Sequence, residues 1–321
     1  MKITILGCGR WGSFLAWYFN RIGYEVLLWG RETSAKLKVL EMTRQNDYVR
    51  LPEAIRLSAS LNHSLSFSEN IIIAIAEQSL RHLMSDIINY DCKQKKIILS
   101  MKGLENKTCK RLSEVVKEFI PDDSKIAVLL GPGHPKELIQ GIPTCMIVDS
   151  IDNFLKMWIA EKFTSALITY HVGSDLIGNE IGAAAKNVIG IAGGMLDGMG
   201  YMSLKGALMV VGTSEIAKLI YTLGGNQITS YGLSCLGDYQ ASLFSENSNS
   251  VNFGKAFVKK QHYTNHIPGL YTIQTIMEII NLYKLDLPLC RTVYDVIFCN
   301  ANSLDIISTL LQYNYSGDKN V

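Results

Sequence analysis

A strand running straight into GCGRWG, then a helix, then a second strand, leaves a chain few ways to fold. Lys2 to Leu6 mixes β-branched and other apolar residues, the composition of a buried strand. Gly7, Gly9 and Gly12 follow, then SFLAWYFNRIG, a helix ending near Gly23, and YEVLLWGR, a strand closing at Trp29. This order, compressed into about 30 residues, is the setting in which GxGxxG points to a dinucleotide. Gly7 permits the tight turn, Gly9 lets a pyrophosphate approach the backbone, and Gly12 lets the helix sit close to the sheet. Arg10 opens that helix, whose N-terminus offers N–H groups and a partial positive charge to the phosphates.

The end of the second strand bears on which dinucleotide. An acidic residue there accepts bonds from the ribose 2′-OH of NAD, whereas an arginine accommodates the 2′-phosphate of NADP. Trp29 and Gly30 are followed by Arg31 and then Glu32, so both NADP and NAD stay open. Glu32 to Ser68 is polar and reads as helix and loop. Ile71 to Ala76 is then an apolar strand, EQSLRHLMSDII a helix, KKIILSMKGLE a strand ending near Ser100, and KIAVLLGPGHP and GIPTCMIVDS two more strands. Apolar strands alternating with helices predict a Rossmann-like, doubly wound parallel sheet. Ligands bind beyond the carboxyl ends of such strands, where the turns at Gly9, Arg31, Ala76, Lys102 and Gly133 fall.

Beyond Gly173 the pattern becomes helical, giving an α/β fold with an N-terminal sheet domain (1–173) and an all-α C-terminal domain (174–321). Asp175 to Met195, DLIGNEIGAAAKNVIGIAGGM, is a long apolar helix with a single lysine in it, Lys186. Gly182, Lys186, Gly190 and Gly193 share one face. A glycine costs a helix interior about 1 kcal/mol relative to alanine, so repeated glycines imply that something must come close. The plainest reading is tight helix packing with Lys186 snorkelling to water. The tail after Tyr313, NYSGDKNV, is expected to fray.

Composition removes other classes. A net charge of +2 gives no basic surface for nucleic acid. Seven cysteines without CxxC pairs or metal-ligand spacing suggest reduced thiols in a cytoplasmic protein and no metal. The N-terminus reads as a strand, not a signal peptide. Val188 to Leu204 is broken by Asp197 and by glycines, so it does not read as a membrane span.

Taken in order, GCGRWG, SMKGLE, LLGPGHPKELIQGIPT, DLIGNEIGAAAKNVIGIAGGMLDGMG, GLSCLGD and IPGLYTIQTIMEIINLYKLDLPL resemble the NAD(P)-dependent glycerol-3-phosphate dehydrogenase family along nearly the whole chain. The resemblance implies reduction of dihydroxyacetone phosphate to glycerol 3-phosphate for lipid synthesis, in a homodimer. It makes Lys186 the catalytic lysine, with Asn187 beside the substrate. Lys102 becomes a contact to substrate and nicotinamide, and Asp238 a catalytic carboxylate. Gly131, Gly133, Ser242, Ser248, Asn249 and Ser250 fall on substrate-binding positions. Arg10, Trp11, Arg31, Pro135 and Asn249 fall on cofactor-binding ones. Three departures stand out. The family's arginine and asparagine after Ser248 are Asn249 and Ser250 here, so the guanidinium that would grip the substrate phosphate is missing. Pro268 stands where the family has a glutamate, and Gly133 where it has a serine. The missing arginine also suits a related dehydrogenase for another small hydroxy compound. A catalytically silent nucleotide-binding protein is the remaining alternative.

Overall fold

The computed structural model describes residues 1–92, 94–120, 125–265 and 267–313. The tail expected to fray lies outside the described residues. The chain divides into two compact units: Met1–Lys102 with Lys110–Leu176, and Gly103–Cys109 with the residues from Ile177 onward.

The first unit is an eight-stranded sheet with helices between the strands. In chain order it comprises β1 (Lys2–Leu6), α1 (Arg10–Arg21), β2 (Glu25–Trp29), α2 (Ala35–Thr43), β3 (Arg56–Ser58), α3 (Leu61–Phe67), β4 (Asn70–Ile73), α4 (Leu80–Ile87), β5 (Lys96–Leu99), α5 (Leu112–Lys117), β6 (Lys125–Leu130), α6 (Pro135–Ile139), β7 (Thr144–Asp149), α7 (Asn153–Phe163) and β8 (Ile168–Val172). The spatial order is β3-β2-β1-β4-β5-β6-β7-β8. From β1 the chain winds outward through β2 and β3, then returns to β4 on the other side. The turn after β1 therefore lies at the reversal of strand order, where such sheets bind ligands. The central strands are apolar because both faces are covered: Ile3, Ile5, Ile71, Ile72, Ile73, Ile97 and Ile98 are fully buried.

Four features depart from the sequence reading, the first being the edge strand β8, which it did not contain. The polar stretch from Glu32 to Ser68 contains β3, a three-residue edge strand paired to β2. The strand expected to reach Ala76 stops at Ile73. The sheet is not wholly parallel, since β7 runs antiparallel to β6. Between Leu130 and Thr144 lies the five-residue α6, and the chain enters β7 from the end at which β6 stops.

The second unit is helical: α8 (Leu176–Met199), α9 (Lys205–Thr222), α10 (Asp238–Leu243), α11 (Asn249–Val258), α12 (Pro268–Tyr283), α13 (Pro288–Phe298) and α14 (Asp305–Gln312). Helix α8 is its axis, buried without a break from Gly178 to Lys186. Its glycines are occupied by neighbouring helices. A Cβ on Gly193 would stand 2.2 Å from a methyl of Leu243, and one on Gly194 would stand 2.0 Å from the Val251 carbonyl oxygen. The body that comes close is the protein's own α10 and α11. The segment Gly103–Cys109 joins this unit through Asn106, whose side chain donates to Gln274 Oε1 at 3.3 Å and accepts from Thr275 at 2.8 Å.

Candidate active site

In the sheet unit the three glycines of GCGRWG do different work. Gly7 has φ +123°, and a Cβ there would lie 2.3 Å from the Ala74 carbonyl oxygen. A Cβ on Gly12 would lie 1.8 Å from the Gly7 carbonyl oxygen. Both are therefore required by packing. Gly9 is not: its φ of −77° suits any residue, and a Cβ there would meet nothing within 4 Å. Gly9 is the N-cap of α1, and no side chain caps that helix end. A pyrophosphate can approach such a backbone, so the residues present fit a dinucleotide. Arg10 is the first residue of α1, its guanidinium 5.4 Å from the centre of the Tyr48 ring. Trp11 donates from Nε1 to Ser100 Oγ at 2.7 Å, a partner the sequence did not single out. Arg31 is exposed at the end of β2.

Lys102 follows β5 and donates from Nζ to the Gly131 carbonyl at 2.8 Å. Gly131 has φ +124°, a conformation that favours glycine. A Cβ on Gly133 would stand 3.2 Å from the Trp11 ring, so a serine at this position would crowd the indole. Pro135 is the first residue of α6, where its missing N–H costs nothing. The sheet unit thus carries Gly7, Gly9, Arg10, Trp11, Gly12, Arg31, Lys102, Gly131, Gly133 and Pro135 on the turns and helix starts that follow its strands.

In the helical unit Lys186 is only 9% exposed, so it does not snorkel to water as the plainest reading of the isolated helix would have it. Its Nζ donates to Asp238 Oδ1 at 2.6 Å and to Ser242 Oγ at 3.3 Å. Asp238 and Ser242 are one turn apart on α10, and Ser242 donates to the Asp238 carbonyl at 2.9 Å. A π-helical turn, Leu233–Gly237, feeds into α10. Six residues cannot hold a helix unaided, so α10 is anchored from outside. Tyr239, fully buried, bonds the Thr213 hydroxyl and donates to the Met209 carbonyl at 2.9 Å, tying α10 to α9. Burial pushes the Tyr239 hydroxyl and the Cys235 thiol above their usual ranges. Both stay neutral next to the ion pair.

The other residues sort themselves around this pair. Ser250 donates to Asn187 Oδ1 at 3.4 Å, bringing the start of α11 against the residue next to Lys186. Ser248 caps α11, accepting from the Val251 N–H at 3.4 Å. Asn249 accepts from the Tyr263 hydroxyl at 3.3 Å. Pro268 opens α12, a role its fixed φ suits.

A reversed-order sheet with a GxGxxG turn at its switch point, and a buried ammonium held by a carboxylate and a hydroxyl in the helical unit, are the parts of a dinucleotide-dependent oxidoreductase acting on an alcohol–carbonyl pair. Residues 2–155 match the N-terminus, and residues 175–308 the C-terminus, of NAD-dependent glycerol-3-phosphate dehydrogenase. The glycerol-3-phosphate dehydrogenase [NAD(P)+] of Pelodictyon phaeoclathratiforme is 31% identical over 311 residues, covering 93% of each chain. That of Pasteurella multocida is 30% identical over 328 residues, covering 98% of this chain and 97% of its own. The crystal structure of the Coxiella burnetii glycerol-3-phosphate dehydrogenase superposes with a TM-score of 0.90 at 25% identity, over 97% of this chain and 99% of that one. The chain belongs to the NAD(P)-dependent glycerol-3-phosphate dehydrogenase family. No helix among the described residues is long and apolar enough to cross a membrane.

Proposed function

We propose that Lys186 is the proton donor in an NAD(P)H-dependent reduction of dihydroxyacetone phosphate to sn-glycerol 3-phosphate. The observation that carries the assignment is the pair itself, a buried ammonium 2.6 Å from Asp238 on a short, externally anchored helix. When bound, the reduced nicotinamide supplies the hydride. Lysine is an ammonium at neutral pH, the state needed to protonate a ketone oxygen. Lys186 stabilises charge developing on that oxygen and gives it a proton, leaving a secondary alcohol and a neutral amine that reprotonates from solvent. In the oxidative direction the same amine takes the hydroxyl proton. Asp238 balances the ammonium's charge and, with Ser242, fixes its direction. Lys102 orients the substrate, and Asn187 and the start of α11 line its polar end. In this reading residues 1–173 bind the dinucleotide and 174–321 supply the substrate and proton-transfer groups. The reading also takes the protein to be a cytoplasmic homodimer feeding glycerophospholipid synthesis. Asn249 and Ser250 favour a second reading, a dehydrogenase for an unphosphorylated three-carbon hydroxy compound.

Lys186→Ala tests the assignment. Turnover should fall by roughly 10²–10⁴-fold, the usual contribution of a positioned acid, with dinucleotide affinity unchanged and the fold checked by circular dichroism. Turnover within a few-fold of wild type would remove Lys186 from the chemistry. Offering dihydroxyacetone phosphate beside unphosphorylated three-carbon ketones separates the two substrate readings.

A further inference from the structure

A second ammonium is buried in the helical unit beside Lys186. Lys205, the first residue of α9, is 4% exposed. Its Nζ donates to Asp197 Oδ2 at 2.8 Å and to the Leu243 carbonyl at 2.7 Å. The Phe244 ring is centred 5.0 Å from the same nitrogen. Asp197 stands near the end of α8. Leu243 is the last residue of α10, so its carbonyl lies beyond the helix's own bonding pattern. One side chain therefore ties together the end of α8, the start of α9 and the end of α10. The connection it springs from is fixed too. Gly200 takes φ +87°, and the Tyr201 N–H donates to the Leu196 carbonyl at 2.9 Å.

Stability alone does not account for this arrangement. Burying an ammonium and a carboxylate costs several kcal/mol per ion, and apolar side chains of like volume often do as well or better. Asp197 commits one oxygen to the pair, and among the described residues its Oδ1 is buried without a hydrogen-bond partner. What Lys205 does supply is a cation at the C-terminus of α10, where free carbonyls and the helix dipole favour one. That helix has six residues, about 9 Å at 1.5 Å per residue. Ser242 immediately precedes the anchored Leu243, and Asp238 lies one turn back; both meet Lys186. Tyr239 tethers the helix to α9 through a phenol, and the Leu243 side chain fills the notch at Gly193. The bond from Lys205 is the charge-assisted, directional one at the C-terminal end. Direction matters here, because misplacing a reacting group by about 1 Å can cost about a hundredfold in rate.

We infer that Lys205, paired with Asp197, is a positioning residue that sets where α10 presents Asp238 and Ser242 to Lys186. The inference rests on the reading of Lys186 as proton donor and deepens it. Two buried ammonium groups grip one short helix, Lys186 by its side chains and Lys205 by its last carbonyl. Lys205 acts through Asp238 and needs no contact with substrate or dinucleotide.

Asp197→Asn/Lys205→Met in the full chain removes both charges together, so that no uncompensated ion stays buried. Reduction of dihydroxyacetone phosphate is followed as loss of the reduced nicotinamide's absorbance, with enzyme in excess so that slow variants stay readable. The rate should fall by about ten- to a hundredfold, with dinucleotide affinity unchanged. The discriminating step is to add Asp238→Asn. If Lys205 acts through Asp238, the combined variant should be no more than about threefold slower than Asp238→Asn alone, whereas independent effects multiply. A purely structural role would also multiply, because lost stability scales the folded fraction whatever stands at position 238. If calorimetry shows that the charge-neutral variant does not fold, Asp197→Asn alone carries the same cycle, with an expected loss of about three- to tenfold. An unchanged rate in the variant used, or losses that multiply, would overturn the inference. Wild-type turnover in Asp238→Asn would overturn the reading on which it rests.

Discussion

Two alanine substitutions three residues apart, Gly9→Ala and Gly12→Ala, should have opposite consequences. At Gly12 the new methyl would lie 1.8 Å from the Gly7 carbonyl oxygen. That oxygen belongs to a turn pinned by the Gly7 N–H donating to the Trp29 carbonyl at 2.9 Å, so it cannot yield cheaply. Overpacking of this kind costs about 1–3 kcal/mol and sometimes more. At the upper figure, with about 2–4 °C per kcal/mol for a unit of this size, the melting temperature should fall by roughly 6–12 °C. At Gly9 the methyl meets no protein atom within 4 Å and the φ of −77° needs no glycine. Restricting the unfolded chain gains about 0.4–1 kcal/mol. Alanine is, however, a poorer N-cap than glycine; the two effects offset, leaving the melting temperature within about 4 °C of wild type. The methyl nevertheless occupies the space over the α1 N-terminus. Dinucleotide affinity should therefore drop at least tenfold, about 1.4 kcal/mol. Scanning calorimetry beside a binding titration reads both quantities. A Gly9→Ala protein that binds like wild type would refute the argument that this space belongs to a ligand, and one destabilised as much as Gly12→Ala would refute the geometry.

Other outcomes follow from single side chains. Asn249→Arg, which returns a guanidinium to the start of α11, should lower the KM for dihydroxyacetone phosphate by about tenfold or more and leave that for unphosphorylated ketones unchanged; steady-state kinetics on both acceptors decides it. Glu215 is fully buried on α9 and accepts from the Leu289 and Cys290 N–H groups at 2.5 and 2.9 Å, capping α13. Burial outweighs those bonds and pushes its carboxyl up to about 7. Because the folded value lies above the unfolded one, its protonated form contributes stability that is full below about 4.5 and is lost as pH rises through 7. The melting temperature of wild type should thus fall relative to Glu215→Gln between pH 5 and pH 8, and parallel curves would show the carboxyl is ionised throughout.

Much of the sheet unit could be read locally. β1, its glycine turn, α1 and β2 are adjacent in sequence, and each signal, apolar run or glycine spacing, acts within a few residues. The triple isoleucine of β4 and the long apolar α8 announce themselves the same way. What escaped was decided at a distance. β3 is three residues, RLS, on the sheet edge and half in water, so it lacks the apolar run of a central strand. β8 sits at the opposite edge, where only Ile168 and Tyr170 are buried. The direction of β7 is seen in its pairing with β6, which the composition of neither strand announces.

The candidate site shows the same division more sharply. Glycines 182, 190 and 193 correctly signalled that something approaches α8, because a missing side chain is a local fact with a steric meaning. They carried no information about what approaches, and the answer, Cys235 of the π-helical turn, Ser250 of α11 and Leu243 of α10, lies far along the chain. The same gap limits what the isolated helix says of Lys186. A lysine on an apolar helix looks set to reach for water when its partner is out of view; Asp238, 52 residues further on, was legible only through the family resemblance. Removing a buried ion's partner costs about 3–5 kcal/mol, so such a pair persists only if both groups are present and aligned. A lone charge deep in an apolar helix is therefore informative before its partner is known. It implies that a complementary group exists elsewhere in the chain, and here the short helix that carries that group is held in place by Tyr239 and Thr213, residues with no chemical role of their own.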